Sequence, residues 1–425
     1  MSAASPSQPL HPAMRAYFPA EVLEQLRTIG EVADAHQCTL YLIGGSVRDM
    51  LLPGREFDWD LDMMSADPQL LDVARDLHER WGGSLQQFEQ YGTAKLRLDE
   101  VELDFARART EVYTAPGANP VVAFASVKKD LVRRDFTINA MAICLNTERF
   151  GELFDPFEGL EDIYNRRLRA LHSQKFLEDP VRSWRAVRFS VVLDFELIHA
   201  TAVWVHQAMQ SGHFDGFVNA RIVRELRKIL VKPDPIPYFK GLAELEVWRC
   251  LGNMQFWGPE FLHFCQAVPR WRMFWNPELA PSVYLLGILV FLQRPEAEAL
   301  IPLLEMSKQE TQAWEAWLNF DPRDLVQAER PAEIHGLLSA LPPLCRWLVS
   351  ALYTHTSLQP ILHDYAQRLQ HVKLEMNGKD LLQWMPPGPQ IKQVLAQLLQ
   401  AKLNGELPTR EAELALAQQL ASAIR

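Results

Sequence analysis

Three carboxylates at alternate positions, Asp58-Trp-Asp-Leu-Asp62, carry the clearest chemistry in the chain. In an extended strand alternate side chains share a face, so all three would point the same way. Like charges at that spacing repel, and a hard divalent cation taking oxygen ligands relieves the repulsion. Two such ions roughly 4 Å apart could activate an attacking hydroxyl and steady a leaving pyrophosphate. Asp104, in Val101-Glu-Leu-Asp-Phe105 on a neighbouring strand candidate, is a candidate further ligand. A solvated acidic edge strand with a surface aspartate accounts for the same residues without any chemistry.

Three further constellations suit a nucleotide. In Leu42-Ile-Gly-Gly-Ser-Val-Arg-Asp49 a strand runs through Gly44 and Gly45 into a helix. Backbone without Cβ atoms can come close to a phosphate, free N–H groups at the helix start point at it, and Arg48 could add a charge-assisted contact. In Asp130-Leu-Val-Arg-Arg-Asp-Phe-Thr-Ile-Asn-Ala140, Arg133 and Arg134 suit phosphate, while Asp135 and Asn139 suit ribose hydroxyls. In Phe176-Leu-Glu-Asp-Pro-Val-Arg-Ser-Trp-Arg-Ala-Val-Arg-Phe189, Asp179-Pro180 reads as a helix cap, and Arg182, Arg185 and Arg188 recur along one side of the helix. Each stretch also has a plainer reading: a strand–turn–helix, an N-capped amphipathic helix start, and a capped helix with solvated arginines.

Asp179 beside Arg182 would present an acceptor next to donors. Cytosine and adenine carry an amino donor beside a ring-nitrogen acceptor and match that pattern. Guanine and uracil would set a carbonyl against the carboxylate. An unpaired buried polar group costs roughly 1–3 kcal/mol, enough for one to two decades of discrimination. Beyond this pair, Arg166, Arg167, Arg169, Lys175, Arg221, Arg224, Arg227, Lys228 and Lys232 extend a basic stripe fit for an RNA backbone, or form ordinary helix surface. His363-Asp364 hints only weakly at a phosphohydrolase metal site, since no second ligand motif accompanies it.

Mixed elements must position these residues. Periodicity predicts a helix over 20–36, a strand over 39–43, a helix over 46–52, a strand over 58–64, a helix from Asp67 to about Trp81 with Pro68 at its first position, and strands near 94–98 and 101–106. The first twenty residues, rich in Ser, Pro and Ala, read as a loose lead-in. After Gly159 nearly everything is helix-like, broken by proline clusters; Ile391, Leu395 and Leu398 form an apolar stripe in the last segment.

Composition narrows the class. The chain has 425 residues, 48% hydrophobic and 23% charged, which excludes a wholly disordered or collagen-like protein. The longest apolar run, Val283 to Leu292, falls well short of the roughly 20 residues of a membrane span, and no secretion signal is expected. Five scattered cysteines without a C-x-x-C pair argue against a disulfide framework or cysteine zinc site and for a reducing, cytoplasmic setting. With net charge −10, nucleic acid would need a local basic surface.

In this order and spacing the motifs resemble the bacterial-type (class II) tRNA nucleotidyltransferase and poly(A) polymerase family: LIGGSVRD at 42–49, DLD at 60–62, RRDFTINAMA at 133–142, FDPFEGLEDI at 154–163 and FLEDPVRSWRAVRF at 176–189. Strong likeness covers roughly residues 40–190. The resemblance implies an α+β head of polymerase-β-like nucleotidyltransferase type, with a five-stranded mixed sheet, followed by an all-helical neck, body and tail. The expected divisions are a flexible lead-in at 1–22, head at 23–158, neck with base recognition at 159–240, body at 241–330 and a tRNA-binding tail at 331–425. It implies that Asp60 and Asp62 hold two Mg²⁺ ions, with Asp104 as a further catalytic acid. It assigns Gly44, Gly45, Arg48, Arg134, Asp135, Asn139, Glu178, Asp179, Arg182, Arg185 and Arg188 to the nucleotide. Asp58 is an extra acid relative to the family, and Trp59 stands where the family usually has something smaller. The implied partners are tRNA, ATP and CTP, with no membrane; no protein partner follows. The implied reaction adds C, A or both to the tRNA 3′ end. A poly(A) polymerase, or a non-catalytic RNA-binding protein of the same fold, remains open.

Overall fold

A computed structural model describes residues 10–118, 120–252 and 256–423. Contacts divide the chain into two compact units, residues 1–217 with 240–250, and residues 218–239 with 251–425.

The first unit is built on a mixed seven-stranded sheet, not the five strands expected. The strands are β1 (Tyr41–Ile43), β2 (Asp60–Ser65), β3 (Ser84–Phe88), β4 (Thr93–Arg97), β5 (Glu102–Arg107), β8 (Ala142–Cys144) and β9 (Leu153–Phe154), in the order β3-β4-β5-β2-β1-β8-β9. β2 and β5 run parallel and the other neighbours antiparallel. The count of five is what the resemblance implied; periodicity itself marks only β1, β2, β4 and β5, and β9 and β8, two and three residues long, are too short to show a period. A separate ribbon pairs β6 (Arg109–Val112) with β7 (Val121–Phe124).

Alternation on β2 and β5 sorts the residues by chemistry. Leu61, Met63, Leu103 and Phe105 are buried in the core, while Asp60, Asp62, Glu102 and Asp104 take the other face. The strand begins at Asp60, so Asp58 lies before it and outside the alternation; its Oδ1 instead accepts from the Asp60 N–H at 3.4 Å. The expected row of three acids is therefore a row of two.

Helices α2 (Ala20–Ala35) and α4 (Leu70–Trp81) pack on each other. α4 buries Leu70, Val73, Ala74 and Leu77, an i, i+3, i+4, i+7 stripe, and stops at Gly82 in a left-handed conformation. It starts three residues later than expected because Asp67 is used elsewhere: its Oδ2 accepts from the Thr39 N–H at 2.8 Å and fixes the approach to β1. The lead-in is also more ordered than its composition suggested. Residues 1–9 lie outside the described part, but α1 (His11–Tyr17) buries Met14, and Phe18 follows it into the core. Between β1 and β2 lies α3 (Gly45–Met50). Further along come α5 (Val127–Val132), α6 (Gly159–Tyr164), α7 (Gln174–Glu178), α8 (Val181–Leu193) and α9 (His199–Gln210), with a small parallel pair, β10 (Arg167–Leu168) and β11 (Glu196–Leu197).

The second unit is helical among its described residues. The helix Ala280–Phe291 is buried almost all round, which explains its unbroken apolar run. No helix among the described residues is long and apolar enough to cross a membrane. Near the C-terminus, Val394 and Leu398 are buried with Ile391 and Leu395 packed beside them, so the expected stripe faces a local core. There the fully buried Glu413 accepts from the Glu375 and Met376 N–H groups and from the Lys402 ammonium.

Candidate active site

All the acids, glycines and arginines singled out between residues 44 and 188 fall in the first unit. Strand register brings the acids together. In the parallel pair Asp60 lies opposite Glu102 and Asp62 opposite Asp104. Ligand oxygens of Asp60, Glu102 and Asp104 come within 4.8 Å of one another. Asp62 stands just outside this group, against Gly44. Glu102 was not expected here, although Glu102-Leu-Asp104 repeats the alternation of Asp60-Leu-Asp62 and could have given it away.

The acids are not neutralised evenly. Burial pushes the Asp62 carboxyl up to about 6; Asp60 and Asp104 push the same way, and Arg134 opposes them. Although Asp62 retains open surface, the chain crowds its carboxylate on the Gly44 side, and that crowding accounts for the rise. Asp60 is raised for the same reasons, burial first and Asp104 next, with Lys95 opposing. The donors are all hard carboxylate oxygens, and at Asp60 and Asp62 the nearby cations only partly offset burial and neighbouring negative charge. That set fits a divalent cation such as Mg²⁺ or Mn²⁺.

Gly44 joins the acids to the turn that opens α3. Its φ of +80° belongs to the left-handed region, and a Cβ there would lie 2.7 Å from the Asp62 Oδ2. Only glycine meets both demands. Gly45 opens α3 and has no such crowding; a Cβ would find Arg48 Nη2 at 3.6 Å. Arg48 is held on both sides, donating to Asp49 at 2.7 and 2.8 Å and to the Asn139 Oδ1 at 2.8 Å.

The arginines gather around one ring. Guanidinium carbons of Arg48, Arg185 and Arg188 lie 5.0, 5.1 and 4.3 Å from the centre of the Phe189 ring. Spacing along α8 explains two of them, but Phe189 as the shared platform was missed by sequence reasoning. Asp135 is buried at the foot of this group. It accepts from Arg185 Nε at 2.6 Å, from Asn139 Nδ2 at 3.0 Å and from the Phe136 N–H at 2.9 Å. Burial alone would raise this carboxyl, yet Arg185 and Arg182 together hold it well below the usual carboxylate range. Asn139 sits in a 3-10 turn (Thr137–Asn139) and not in a regular helix. Arg134 donates to the Asn139 carbonyl at 3.4 Å, and burial lowers its pKa.

Asp179 and Arg182 sit at the start of α8. The helix begins one residue later than expected, with Pro180 at the cap, while Asp179 Oδ1 accepts from the Val181 N–H at 3.2 Å. Asp179 is 2% exposed and Arg182 7%, their nearest charged atoms 4.0 Å apart. Arg182 Nη2 donates to the Arg133 carbonyl at 2.7 Å, whereas its Nε and Nη1 meet no acceptor. Glu178 points elsewhere, to the Lys175 ammonium at 2.6 Å. Tyr113, between β6 and β7, was not anticipated; burial raises its pKa, with Glu111 and Asp179 adding to the rise.

The basic stripe is not a continuous free surface. Arg166, Arg169, Lys175, Arg227 and Lys228 each face an acid within their own unit, and Arg227 is clamped to the buried Glu310 at 2.6 and 3.1 Å. His363 packs against Trp271 and Phe274, and Asp364 pairs with Arg368, so this pair forms no metal site with its neighbours.

Residues 40–169 match the poly A polymerase head domain family. An A-adding tRNA nucleotidyltransferase of Geobacter sulfurreducens is 30% identical over 425 positions, covering 96% of this chain and 48% of that protein; the chain thus spans about half the length of this relative. An A-adding tRNA nucleotidyltransferase of Halalkalibacterium halodurans is 29% identical, covering 93% of this chain and 92% of that protein. Among solved structures, the Thermotoga maritima CCA-adding enzyme complexed with tRNA shares the fold, with a TM-score of 0.82 at 23% identity over 99% of this chain and 100% of that one.

Proposed function

We propose that this chain belongs to the bacterial-type tRNA nucleotidyltransferase and poly(A) polymerase family and is a template-independent enzyme that adds A, C or both to the 3′ end of tRNA. The observation that carries the reading is the presence in one unit of a carboxylate group, Asp60, Glu102 and Asp104 with Asp62 on the same sheet face, and an arginine group around Phe189. Gly44, touching Asp62, leads straight into the helix that bears Arg48. A pure RNA binder gains nothing from clustered acids beside phosphate-binding arginines. The A-adding relatives favour A as the nucleotide, with ATP as its donor.

The chemistry follows from these groups. The tRNA 3′-hydroxyl attacks the α-phosphate of ATP or CTP; a new P–O bond forms and the bond to the β-phosphate breaks, releasing pyrophosphate. Asp60, Asp62 and Asp104 would hold Mg²⁺, with two ions proposed, which when bound favours the deprotonated hydroxyl and offsets charge on the triphosphate. Arg48, Arg185 and Arg188 supply fixed positive charge for the triphosphate, and Asp135 with Asn139 holds Arg185 and Arg48 in place. Asp179 and Arg182 would read the base, the carboxylate accepting from the amino group that adenine and cytosine share and the guanidinium donating to the ring nitrogen beside it. Most of the rate enhancement would come from positioning and charge neutralisation, as is usual for such transfers.

Extension of tRNA transcripts ending before the first C, after both C residues and after the final A, each with ATP or CTP alone, tests this. Addition of one A after both C residues, then a stop, is the expected A-adding result. Long A tails would favour a poly(A) polymerase. No incorporation at all with any transcript would leave the non-catalytic reading.

A further inference from the structure

The carboxylate group already contains a cation of its own. Lys95 on β4 lies opposite Asp104 in the antiparallel register with β5. Its ammonium donates to Glu102 and stands 3.0 Å from Asp104 Oδ2. Glu102 has a second partner, Arg97 Nε at 2.6 Å. Among the described residues neither Asp60 nor Asp62 has an ion-pair partner. Positive charge is therefore distributed unequally over four acids on one sheet face. Glu102 has two cations, Asp104 shares one of them, and the two acids of the D-x-D element have none in contact.

This asymmetry suggests a use. A divalent ion ligated by Asp104 Oδ2 takes the oxygen that Lys95 now occupies, and one ligated by Oδ1 still meets the repulsion of the ammonium. Lys95 has somewhere to go, since Glu102 can keep it. Glu102 in turn is tied to Arg97 and is the least available ligand of the four. We propose that Lys95 is a positioning residue that holds Asp104 beside Asp60 in the nucleotide-free protein and acts as a placeholder for the metal, so that loading an ion at Asp104 is a displacement and not a simple binding step. The proposal rests on the metal-dependent reading given above. Its consequence is that the acid set resists filling by a free divalent ion. The extra negative charge of an arriving triphosphate then favours loading with nucleotide.

Binding of Mn²⁺ to the nucleotide-free protein, read from loss of the free-ion electron paramagnetic resonance signal, tests this without any turnover. Removing a unit charge about 4–5 Å from a divalent ion, even at the dielectric of water, should tighten binding about tenfold or more. Lys95→Met is therefore expected to bind Mn²⁺ about tenfold more tightly than the unaltered protein, and Lys95→Arg to stay close to it. Arg97→Met removes the same charge from Glu102 without touching Asp104, and should shift affinity less than about threefold. Equal or weaker binding in Lys95→Met, or an Arg97→Met shift as large as that of Lys95→Met, overturns the placeholder role. The parent reading fails separately. If Asp60→Asn with Asp62→Asn leaves Mn²⁺ affinity unchanged in the Lys95→Met background, the ion is not bound at these acids at all.

Discussion

Asp60 and Asp62 on β2 and Asp135 after α5 belong to the same unit, yet their surroundings drive them in opposite directions. The first two are raised by burial and by neighbouring carboxylates, Asp104 acting on both; the third is lowered by Arg185 and Arg182 despite being more deeply buried. The contrast separates two ways of preparing a site for a polyanionic substrate. On the β2–β5 face negative charge is left in excess, so the chain itself asks for a cation. On α8 positive charge is assembled and partly answered from within, by Asp135 and Asn139, so the arginines are fixed before any phosphate arrives. A triphosphate with its metal would complete both: the ion satisfies the acids, and the phosphates complement the arginines.

The strongest way to break this comparison is at its closed end. Asp135→Ala removes the acceptor that Arg185 Nε meets at 2.6 Å and leaves guanidinium charge in a buried setting. Removing one partner of a buried ion pair typically costs about 3–5 kcal/mol. Urea denaturation should show a loss in that range, and Asp135→Asn, which keeps the shape but not the charge, should lose nearly as much. Because the folded carboxyl lies below its unfolded value of about 4, its stabilisation is fully present above that pH and is lost as pH falls below it. A mutant as stable as the unaltered protein at pH 7 would show that the arginine group does not need its internal acid.

A smaller effect is expected at Asp179 and Arg182, the pair proposed to read the base. Arg182 keeps Nε and Nη1 without acceptors in a buried position, an arrangement that costs free energy unless a ligand completes it. Asp179→Ala should reduce the preference for ATP and CTP over GTP and UTP by about 10- to 100-fold, corresponding to roughly 1–3 kcal/mol. The ratio of kcat/KM values in single-nucleotide incorporation measures it. An unchanged ratio would place base selection elsewhere, with Tyr113 the first residue to examine.

Much of this site was legible in the sequence because its parts are local. Asp60 and Asp62 declare themselves through alternation, Gly44 through the strand-to-helix turn, and Arg182, Arg185 and Arg188 through helical spacing. What pattern alone did not show is long-range. Glu102 and Asp104 meet Asp60 and Asp62 only because β5 lies beside β2, and nothing in a linear reading fixes that strand order; Lys95 then arrives with the β4–β5 hairpin. Phe189 becomes a shared platform only when Arg48, 141 residues earlier in sequence, is brought to it. The basic stripe failed for the complementary reason. Counting arginines ignores the acids that folding places against them, and Arg227 meets Glu310 across 83 residues.

The smallest effect sharpens the open end of the comparison and turns on pH. A carboxyl raised to about 6 in the folded chain, against about 4 when unfolded, holds its proton more tightly in the native state. Between those values the folded protein binds more protons than the unfolded one, so stability falls as pH rises through that window. The contribution of Asp62 is thus fully present below about pH 4 and is lost by about pH 7. Open surface at Asp62 screens much of this, so the effect in a chain this long should be small. Asp62→Asn, which removes the ionisation, should raise Tm by about 2 °C at pH 7.5 in the presence of a chelator and leave it unchanged near pH 4. A Tm difference of equal size at both pH values would mean that packing, not charge, distinguishes the variant. Added Mn²⁺ should reverse the order at pH 7.5, because only the ionised carboxylate can ligate the metal and gain from its binding. The same group that destabilises the empty site would then stabilise the loaded one, as a negative field left open for a cation requires.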